Sequence, residues 1–577
     1  MKKNIITLIL IISAVWVFAE INFANNKGNI IINFENERNT MQQEDIYKTI
    51  ALPSLDAEII VNSCEVSIFS KNGEHLRDKI INGSSRVEIS DSFIMRDLFG
   101  HQIRIKTSEE NRETISNLKS LDLEVKPVNM QEVPTRISSV FQPVYKSFVD
   151  NFNTSYLRDA TTEPARMLII TYSNLIGYLD DYVNWKKAKG TFTEVVTIEE
   201  TGSTSAQIKN YLQDLYDNSE TPPDYLLLIG DVDAPFNVPS FYISAENDVT
   251  DHPYTLLSGE DYFPEMIVGR FSIDSIMELW TILNKQFVYE KTPYMDETDW
   301  FTEALLVAGN YATSPPIPTT PKKVSRWLKD KLLAYGYTEV HEVYYPPIQF
   351  AAPEINEAIS EGVGFVSYRG WGDANGWHFP EYHIDDMGGQ NNGHKLPVVT
   401  SIVCNTGDFA NNVDPCFAEA FLRIGTPTIP KGCVAILGPS DLHTSTKLNN
   451  SLFSGFYYGM LDEDILTLGL AVLRGKLELY NNFPLDRDPG GDVEFYFHVY
   501  NILGDPSLSM WTKVPQEISC TLPSEITIGT SYLDVNVPDL EGGVITAMKT
   551  DEFYDVQVIE NGQATLYLDS QTEGTIQ

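Results

Sequence analysis

The chain has 577 residues, of which 80 are acidic and 41 are lysine or arginine, so its formal net charge is −39. This charge excludes a nucleic-acid-binding surface, which would be basic, and it suits a soluble extracytoplasmic protein that can bind Ca²⁺. The hydrophobic content of 42% is typical of a globular protein, and the length predicts two to four domains.

The first 19 residues have the pattern of a secretory signal peptide. Two lysines precede an apolar run from Ile5 to Phe18, and the small residue Ala19 marks the expected cleavage point. No later stretch is long and apolar enough to span a bilayer. We therefore expect a secreted or surface-displayed protein with no membrane span after cleavage.

Short strand-like segments fill residues 20–160, which predict a β-rich N-terminal region without catalytic residues. Short strands return in residues 514–577, which predict the start of a β-sandwich. The chain ends without an obvious closing strand, which indicates a truncated sequence.

Between these regions, apolar strands alternate with amphipathic helices, which predicts an α/β fold with a mostly parallel sheet. We divide it into a first subdomain at 165–300 and a second at 301–512. The last predicted helix covers 492–503 and stops at Gly504.

One strand of the second subdomain ends on a cysteine. The apolar, β-branched run from Pro397 reaches Cys404, and a turn cluster follows at 405–408. Open α/β sheets place reactive groups at the carboxyl ends of their central strands. The chain has five cysteines, too few and too scattered for a disulfide scaffold, and Cys416 and Cys433 are interpreted as buried packing residues.

The arrangement of motifs resembles the gingipain family of secreted bacterial cysteine peptidases. The resemblance is carried, in order, by the segments 166–170, 183–187, 225–231, 267–272, 335–338, 404–409, 415–420 and 504–508. It implies a caspase-like α/β/α unit of two subdomains, an N-terminal prodomain and a C-terminal immunoglobulin-like domain. It also implies hydrolysis of peptide bonds in protein or peptide substrates.

The resemblance places the catalytic nucleophile on Cys404, which would form an acyl-thioester. The family's base histidine aligns with Trp371, whose indole cannot accept a proton. Backbone N–H groups near Gly372 and Cys404 are expected to stabilise the oxyanion. The residue that orients the base aligns with Tyr311, and the aspartate that binds a P1 arginine has no counterpart in 319–323, so arginine specificity is not expected.

Two hypotheses follow from the missing base. In the first, another histidine serves, either His378 in the loop that contains Trp371 or His443 after the next predicted strand. In the second, the chain is a catalytically inactive relative that acts as a surface binding or scaffold module.

Three carboxylates predict a structural calcium site. Asp231 ends one strand, while Asp261 and Glu265 precede another, and Ca²⁺ prefers such oxygen ligands. In the family, these acids match a structural calcium site to which the backbone carbonyls at Ser258 and Phe263 also contribute.

Overall fold

The structure is a computed structural model that describes residues 20–26, 28–36, 44–90, 92–244, 246–310, 320–540, 543–549, 552–568 and 572–576. The predicted signal peptide lies outside these residues. The chain divides into two compact units, one of residues 1–93, 98–135 and 148–160, and one of residues 94–97, 136–147 and 161–577.

The N-terminal region is built almost entirely of antiparallel strands. One sheet has the order β1-β2-β10-β4-β5, and a second contains β3, β8 and β6 in that order. Alternate residues of the second strand, Ile30, Ile32 and Phe34, are buried in the core, as a half-buried strand requires. The strands are β1 (Glu20–Asn26), β2 (Asn29–Glu35), β3 (Ile46–Ala51), β4 (Asp56–Ser70), β5 (His75–Ile80), β6 (Val87–Ile89), β7 (Phe93–Met95), β8 (Leu98–Ile105), β9 (Ser108–Glu110) and β10 (Thr114–Val128).

Short elements lead into the α/β region, which then alternates strands and helices. They are β11 (Arg136–Ser138), α1 (Gln142–Phe148), α2 (Tyr156–Asp159), β12 (Thr161–Glu163), β13 (Arg166–Thr171), α3 (Asp180–Ala188), β14 (Phe192–Thr197), α4 (Ile198–Thr201), α5 (Ser205–Asn218), β15 (Tyr225–Ile229), β16 (Phe241–Ile243), β17 (Asp248–Thr250), β18 (Ile267–Phe271) and α6 (Ile276–Gln286).

The second half of the α/β region continues the alternation. Its elements are β19 (Glu303–Gly309), α7 (Thr320–Tyr335), β20 (Glu339–Tyr345), α8 (Ala352–Glu361), β21 (Phe365–Arg369), β22 (Gly372–Asp373), β23 (Gly376–His378), β24 (Glu381–His383), β25 (Val398–Ser401), α9 (Phe417–Arg423), β26 (Ala435–Pro439), α10 (Thr446–Asp462), α11 (Leu468–Asn482), α12 (Asp492–Val499) and β27 (Tyr500–Leu503).

Both halves of this region contribute to one ten-stranded sheet with the order β14-β13-β15-β18-β27-β26-β25-β21-β19-β20. The strand before Cys404, β25, pairs in parallel with β21 and β26, as predicted. The helices α7 and α11 pack against α10, and α6 packs against α9. The strands β21, β25 and β26 are buried along their whole length, because the sheet is covered on both faces.

The predicted helix over 492–503 is wrong in its last turn. The helix α12 ends at Val499, and Tyr500–Leu503 form the strand β27, which is fully buried. It pairs antiparallel with β26 and parallel with β18, so it joins the two halves of the sheet. An apolar segment of four residues fits the hydrophobic period of a helix as well as that of a strand. Pairing with neighbouring strands therefore decides which of the two it forms.

The described part of the C-terminal segment contains four strands, β28 (Tyr532–Asn536), β29 (Val544–Lys549), β30 (Glu552–Val558) and β31 (Gln563–Tyr567). They form two antiparallel pairs, β28 with β31 and β29 with β30, around a small apolar core. Near Cys520, within the region 514–577 where the sequence predicts short strands, Thr521 forms an isolated bridge with Asn536. Among the described residues, no helix has the length and hydropathy needed to cross a membrane.

Candidate active site

Cys404 lies just beyond the carboxyl end of β25, where the chain turns away from the sheet. The turn is tight: Asn405 has a left-handed φ of 51°, and a Cβ on Gly407 would lie 2.5 Å from the carbonyl oxygen of Gly438. Only glycine permits this approach to β26. The cysteine is therefore held at the edge where parallel α/β sheets carry their reactive groups.

The thiol of Cys404 contacts a threonine rather than a histidine. Its Sγ lies 3.1 Å from Oγ1 and 3.9 Å from the carbonyl oxygen of Thr444. Burial raises the pKa of the thiol, the carboxylate of Asp441 raises it further, and Thr444 and Arg369 lower it in part. The side chain is 7% exposed, so the resting group is a neutral thiol.

The loop that carries the family's base position folds into a three-stranded meander of β22, β23 and β24. Gly372 packs beside the turn of the nucleophile, since a Cβ there would lie 3.2 Å from Cγ2 of Thr406. The carbonyl oxygen of Trp371 accepts hydrogen bonds from the hydroxyl of Tyr368 at 2.8 Å and from the backbone N–H of His378 at 3.0 Å. The role of Gly372 in an oxyanion site stays a prediction.

His378 is the better supported of the two candidate bases. Its Nε2 lies 2.8 Å from Oδ2 of Asp373, and its ring lies 4.4 Å from the ring of Trp371. The aspartate is half-buried, and although burial opposes its ionisation, His378 and a backbone N–H outweigh that effect and lower its pKa. Among the described residues, Nδ1 of His378 has no hydrogen-bond partner, so it is available to accept a proton.

His443 lies on the other side of the nucleophile, next to its partner Thr444 in sequence. Its side chain is 67% exposed, and Nδ1 lies 3.1 Å from Oε2 of Glu246. Within the described ranges, neither His443 nor His378 forms a hydrogen bond with Cys404. The predicted contact between the nucleophile and a substitute base is therefore not formed in this conformation.

Sequence reasoning missed two residues of the site, Thr444 and Asp373. No motif marks Thr444, whereas Asp373 could have been found as the acid nearest to His378 in its loop. Tyr311 and the first residue of 319–323 lie outside the described residues. Cys416 and Cys433 are both fully buried, which confirms their interpretation as packing residues.

Half-buried Asp261 and buried Glu265 lie together before β18, and the pKa of each is raised. Burial raises the pKa of Asp261 to about 6 and that of Glu265 to about 8, and the charge of Asp261 adds to the latter. The carboxylates accept backbone N–H groups of Phe263 at 2.9 Å and of Ser258 at 3.1 Å. Oε1 of Glu265 is buried without a hydrogen-bond partner among the described residues.

This pair fits a cation, because a buried carboxylate oxygen without a partner is stabilised by one. A Cβ on Gly259, which has a φ of +76°, would lie 2.8 Å from Oδ2 of Asp261, so the backbone wraps closely around this carboxylate. The charge of Glu265 acts on Lys209, but Lys209 donates to the carbonyl oxygen of Leu256 instead of to a carboxylate. Calcium binding itself, and the carbonyl ligands at Ser258 and Phe263, stay predictions.

Asp231 does not join this pair, which corrects the predicted three-carboxylate site. β15 and β18 are parallel with Tyr225 opposite Ile267, so Asp231 follows the carboxyl end of β15 while Glu265 precedes the amino end of β18. Five residues of strand, roughly 16 Å, separate the two ends. Oδ2 of Asp231 instead accepts a hydrogen bond from Nη2 of Arg423 at 2.7 Å.

Comparison with known proteins identifies the family of this chain. The model of Peptidase family C25 matches residues 160–511. Gingipain R2 of Porphyromonas gingivalis is 26% identical over 506 residues, which cover 83% of this chain and 65% of the relative. Lys-gingipain HG66 of the same organism is 26% identical over 442 residues, which cover 70% of this chain and 24% of the relative. The chain thus spans less than two thirds of these relatives.

Solved structures show the same fold. The crystal structure of the Arg-specific cysteine proteinase gingipain R (RgpB) has a TM-score of 0.64 and 24% identity, and the match covers 71% of this chain and 92% of that one. The complex of the RgpB pro- and mature domains from Porphyromonas gingivalis also has a TM-score of 0.64, over 70% of this chain and 94% of that one. These matches confirm the predicted caspase-like fold class. The chain therefore belongs to peptidase family C25, with a cysteine peptidase-like domain around Cys404.

Proposed function

We propose that the chain is a secreted cysteine endopeptidase in which Cys404 is the nucleophile and His378 is the base. The observation that carries this proposal is the Asp373–His378 pair in the loop that contains the family's base position. The aspartate holds Nε2 at 2.8 Å, which leaves Nδ1 to exchange a proton. Asp373 acts as a positioning residue, because a carboxylate fixes the tautomer of the imidazole and stabilises its cation.

The reaction follows from these roles. Nδ1 of His378 takes the thiol proton as Sγ attacks the carbonyl carbon of the scissile peptide bond. The protonated imidazole then gives that proton to the leaving amine, so an acyl-thioester remains on Cys404. Water, deprotonated by the same imidazole, hydrolyses the thioester and restores the thiol. Because Sγ now contacts Thr444, the loop 371–379 or the thiol must shift before the first step.

The test is the rate at which an alkylating agent modifies Cys404 as pH is varied. In the parent chain, His378 is expected to keep the alkylation rate high near neutral pH. His378→Ala should lose this neutral-pH reactivity, whereas His443→Ala should keep it. Peptide hydrolysis should vanish in Cys404→Ala and fall by about 10²–10⁴-fold in His378→Ala. A rate that rises only above about pH 8.5 and ignores both substitutions would refute His378 as the base.

One observation favours a second candidate function, a catalytically inactive binding or scaffold module. The thiol is buried and bonded to Thr444, and its pKa is raised, as for an inert cysteine. Absence of hydrolysis across a peptide library, together with the high-pH alkylation profile, would establish this function.

A library profile dominated by P1 arginine would contradict our expectation that arginine specificity is lost.

Asp261 and Glu265 are proposed to hold a structural Ca²⁺ ion, supported by the unpartnered Oε1 of Glu265. The ion would supply a positive charge beside this pair of carboxylates and would stabilise the loop before β18. Secretion is supported by the sequence pattern of residues 1–19. Sequencing the N-terminus of the exported protein tests it, with cleavage after Ala19 as the expected result.

A further inference from the structure

Three side chains beside the nucleophile combine the donor atoms of a transition-metal site. Glu246, in the turn between β16 and β17, faces Asp441 and His443, which follow β26. One carboxylate oxygen of each acid and one ring nitrogen of the histidine all lie within 4.8 Å of one another. Two of these atoms, Nδ1 of His443 and Oε2 of Glu246, are already 3.1 Å apart.

The buried member of the cluster has a free ligand atom. Asp441 is 4% exposed, and its Oδ2 accepts the backbone N–H of His443 at 2.8 Å. Its Oδ1 accepts no hydrogen bond from any residue that the structure describes. A carboxylate oxygen that accepts no hydrogen bond is available to bind a cation.

The surrounding charges favour a cation over an additional hydrogen bond. Burial raises the pKa of Asp441 to about 6, and the negative charges of Asp248 and Glu246 add to this effect. Asp408 acts in turn on Asp248, whose pKa is also raised, mainly by burial. His443 also faces Asp441, and its neutral imidazole is a metal ligand.

We infer that Glu246, Asp441 and His443 form a site for a divalent transition metal of the Zn²⁺ class. One imidazole nitrogen and two carboxylate oxygens suit Zn²⁺, whereas Ca²⁺ and Mg²⁺ prefer oxygen alone. Tetrahedral bonds of about 2.0–2.1 Å separate ligand atoms by about 3.3 Å, so closing the cluster needs movements of about 1–1.5 Å. Glu246 and His443 are exposed, so their side chains can make that movement.

Metal at this site would act on the thiol without touching it. Thr444, the partner of Cys404, follows His443 directly, and the charge of Asp441 raises the pKa of the thiol. A divalent cation on Asp441 would cancel that effect and bring the thiolate form to lower pH. It would also hold His443 away from proton transfer, which leaves His378 as the base. Metal binding does not depend on whether the chain cleaves peptides.

The experiment measures Zn²⁺ binding by calorimetry on the full chain with Cys404→Ala and Cys520→Ser, in excess Ca²⁺. The substitutions remove the thiols of Cys404 and Cys520, and the excess Ca²⁺ saturates the Asp261–Glu265 pair. The cluster of Glu246, Asp441 and His443 is then the expected Zn²⁺ site. Glu246→Gln and His443→Ala should each weaken binding at least about 100-fold, because even the loss of a second-shell partner costs 10–100-fold. His378→Ala is the matched control and should bind as the parent does.

Equal affinity and stoichiometry in the parent, Glu246→Gln and His443→Ala would overturn the inference, as would binding no tighter than millimolar in the parent. Both substitutions change exposed side chains, so the folded state is retained, and circular dichroism checks this. In a separate set with Cys404 intact, Zn²⁺ should shift the alkylation profile of the thiol to lower pH in the parent but not in His443→Ala. The same profile in both would refute the coupling to the thiol.

Discussion

Two groups of charges in the α/β region, one fully buried and one partly buried, differ in how they are neutralised. In one, Lys186, Glu290 and Asp505 form ion pairs, and the side chains of all three are no more than 2% exposed. In the other, Asp261 and Glu265 accept hydrogen bonds only from backbone N–H groups among the described residues, and their pKa values are raised. Charges balanced within the chain stabilise the fold alone, whereas unbalanced ones create a demand for an external cation.

The balanced group is dense in hydrogen bonds. Nζ of Lys186 lies 2.8 Å from Oε2 of Glu290, which also accepts from Nε1 of Trp185 at 3.0 Å. Burial opposes the ionisation of Glu290, but Lys186 and Lys189 outweigh it and lower its pKa. These charges therefore depend on one another, and no single member can be removed without exposing another to the apolar interior.

The largest loss of stability is expected for Lys186→Met. Loss of this cation leaves Glu290 and Asp505 buried with less compensation, which is expected to lower the free energy of unfolding by about 3–5 kcal/mol. Urea denaturation measures it, with Lys187→Met on the same helix as the control that changes little. A Lys186→Met protein as stable as the parent would show that the ion pairs are dispensable.

Lys476 is a buried basic residue without an ionic partner in the described part of the chain, so it tests whether an unbalanced positive charge also costs stability. Its Nζ donates to the carbonyl oxygen of Phe497 at 2.7 Å, and it has no carboxylate partner among the described residues. Burial lowers its pKa to about 7. Lys476→Met should stabilise the fold by about 3 kcal/mol at pH 7, because about 1.4 kcal/mol per unit of pKa is regained and one hydrogen bond is lost.

The contribution of Lys476 to the free energy of unfolding depends on pH with a definite sign. Between about pH 7 and the unfolded value near 10.4, the unfolded chain holds a proton on Lys476 that the folded chain has lost, so the parent gains stability as pH rises. Below about pH 7, the full penalty remains. Lys476→Met should flatten this slope, while Lys447→Met on an exposed lysine should retain it. An unchanged slope in Lys476→Met would contradict the lowered pKa.

The unbalanced pair predicts a smaller effect, which depends on ligand concentration. Ca²⁺ at 100 times its dissociation constant should stabilise the parent by about 2.7 kcal/mol, and Glu265→Gln should lose this response. Asp231→Asn is the matched control: it weakens the contact with Arg423 but should keep the response to Ca²⁺. Thermal melts with and without chelator measure both. A lost response in Asp231→Asn would restore Asp231 to the calcium site.

The smallest effect is expected where the charges are exposed. Nζ of Lys331 lies 2.7 Å from Oδ1 of Asp462, and both side chains are about one third exposed. Asp462→Asn should cost about 0.2–1 kcal/mol, and the cost should shrink in 1 M salt. A larger or salt-independent loss would mean that pairing, rather than burial, sets the size of these effects.

Sequence reasoning predicted the elements better than it predicted contacts across the sheet. The parallel strand before Cys404 and the burial of Cys416 follow from local pattern and are confirmed. Asp231 was placed with Glu265 because both flank strands, but the strand register puts them at opposite ends. Likewise, Thr444 meets the thiol only because the loops after β25 and β26 leave the same edge, which spacing along the chain does not encode.

The strand β27 has a consequence for the order in which the protein can fold. Tyr500–Leu503 are among the last residues of the α/β region, yet they lie between β18 and β26 at the middle of the sheet. During synthesis from the N-terminus, the edge strands β18 and β26 therefore stay unpaired on one side until about residue 503 has left the ribosome. The central strand arrives last, so its pairing with β18 is a contact of high sequence separation, and closure of the sheet is expected to be slow.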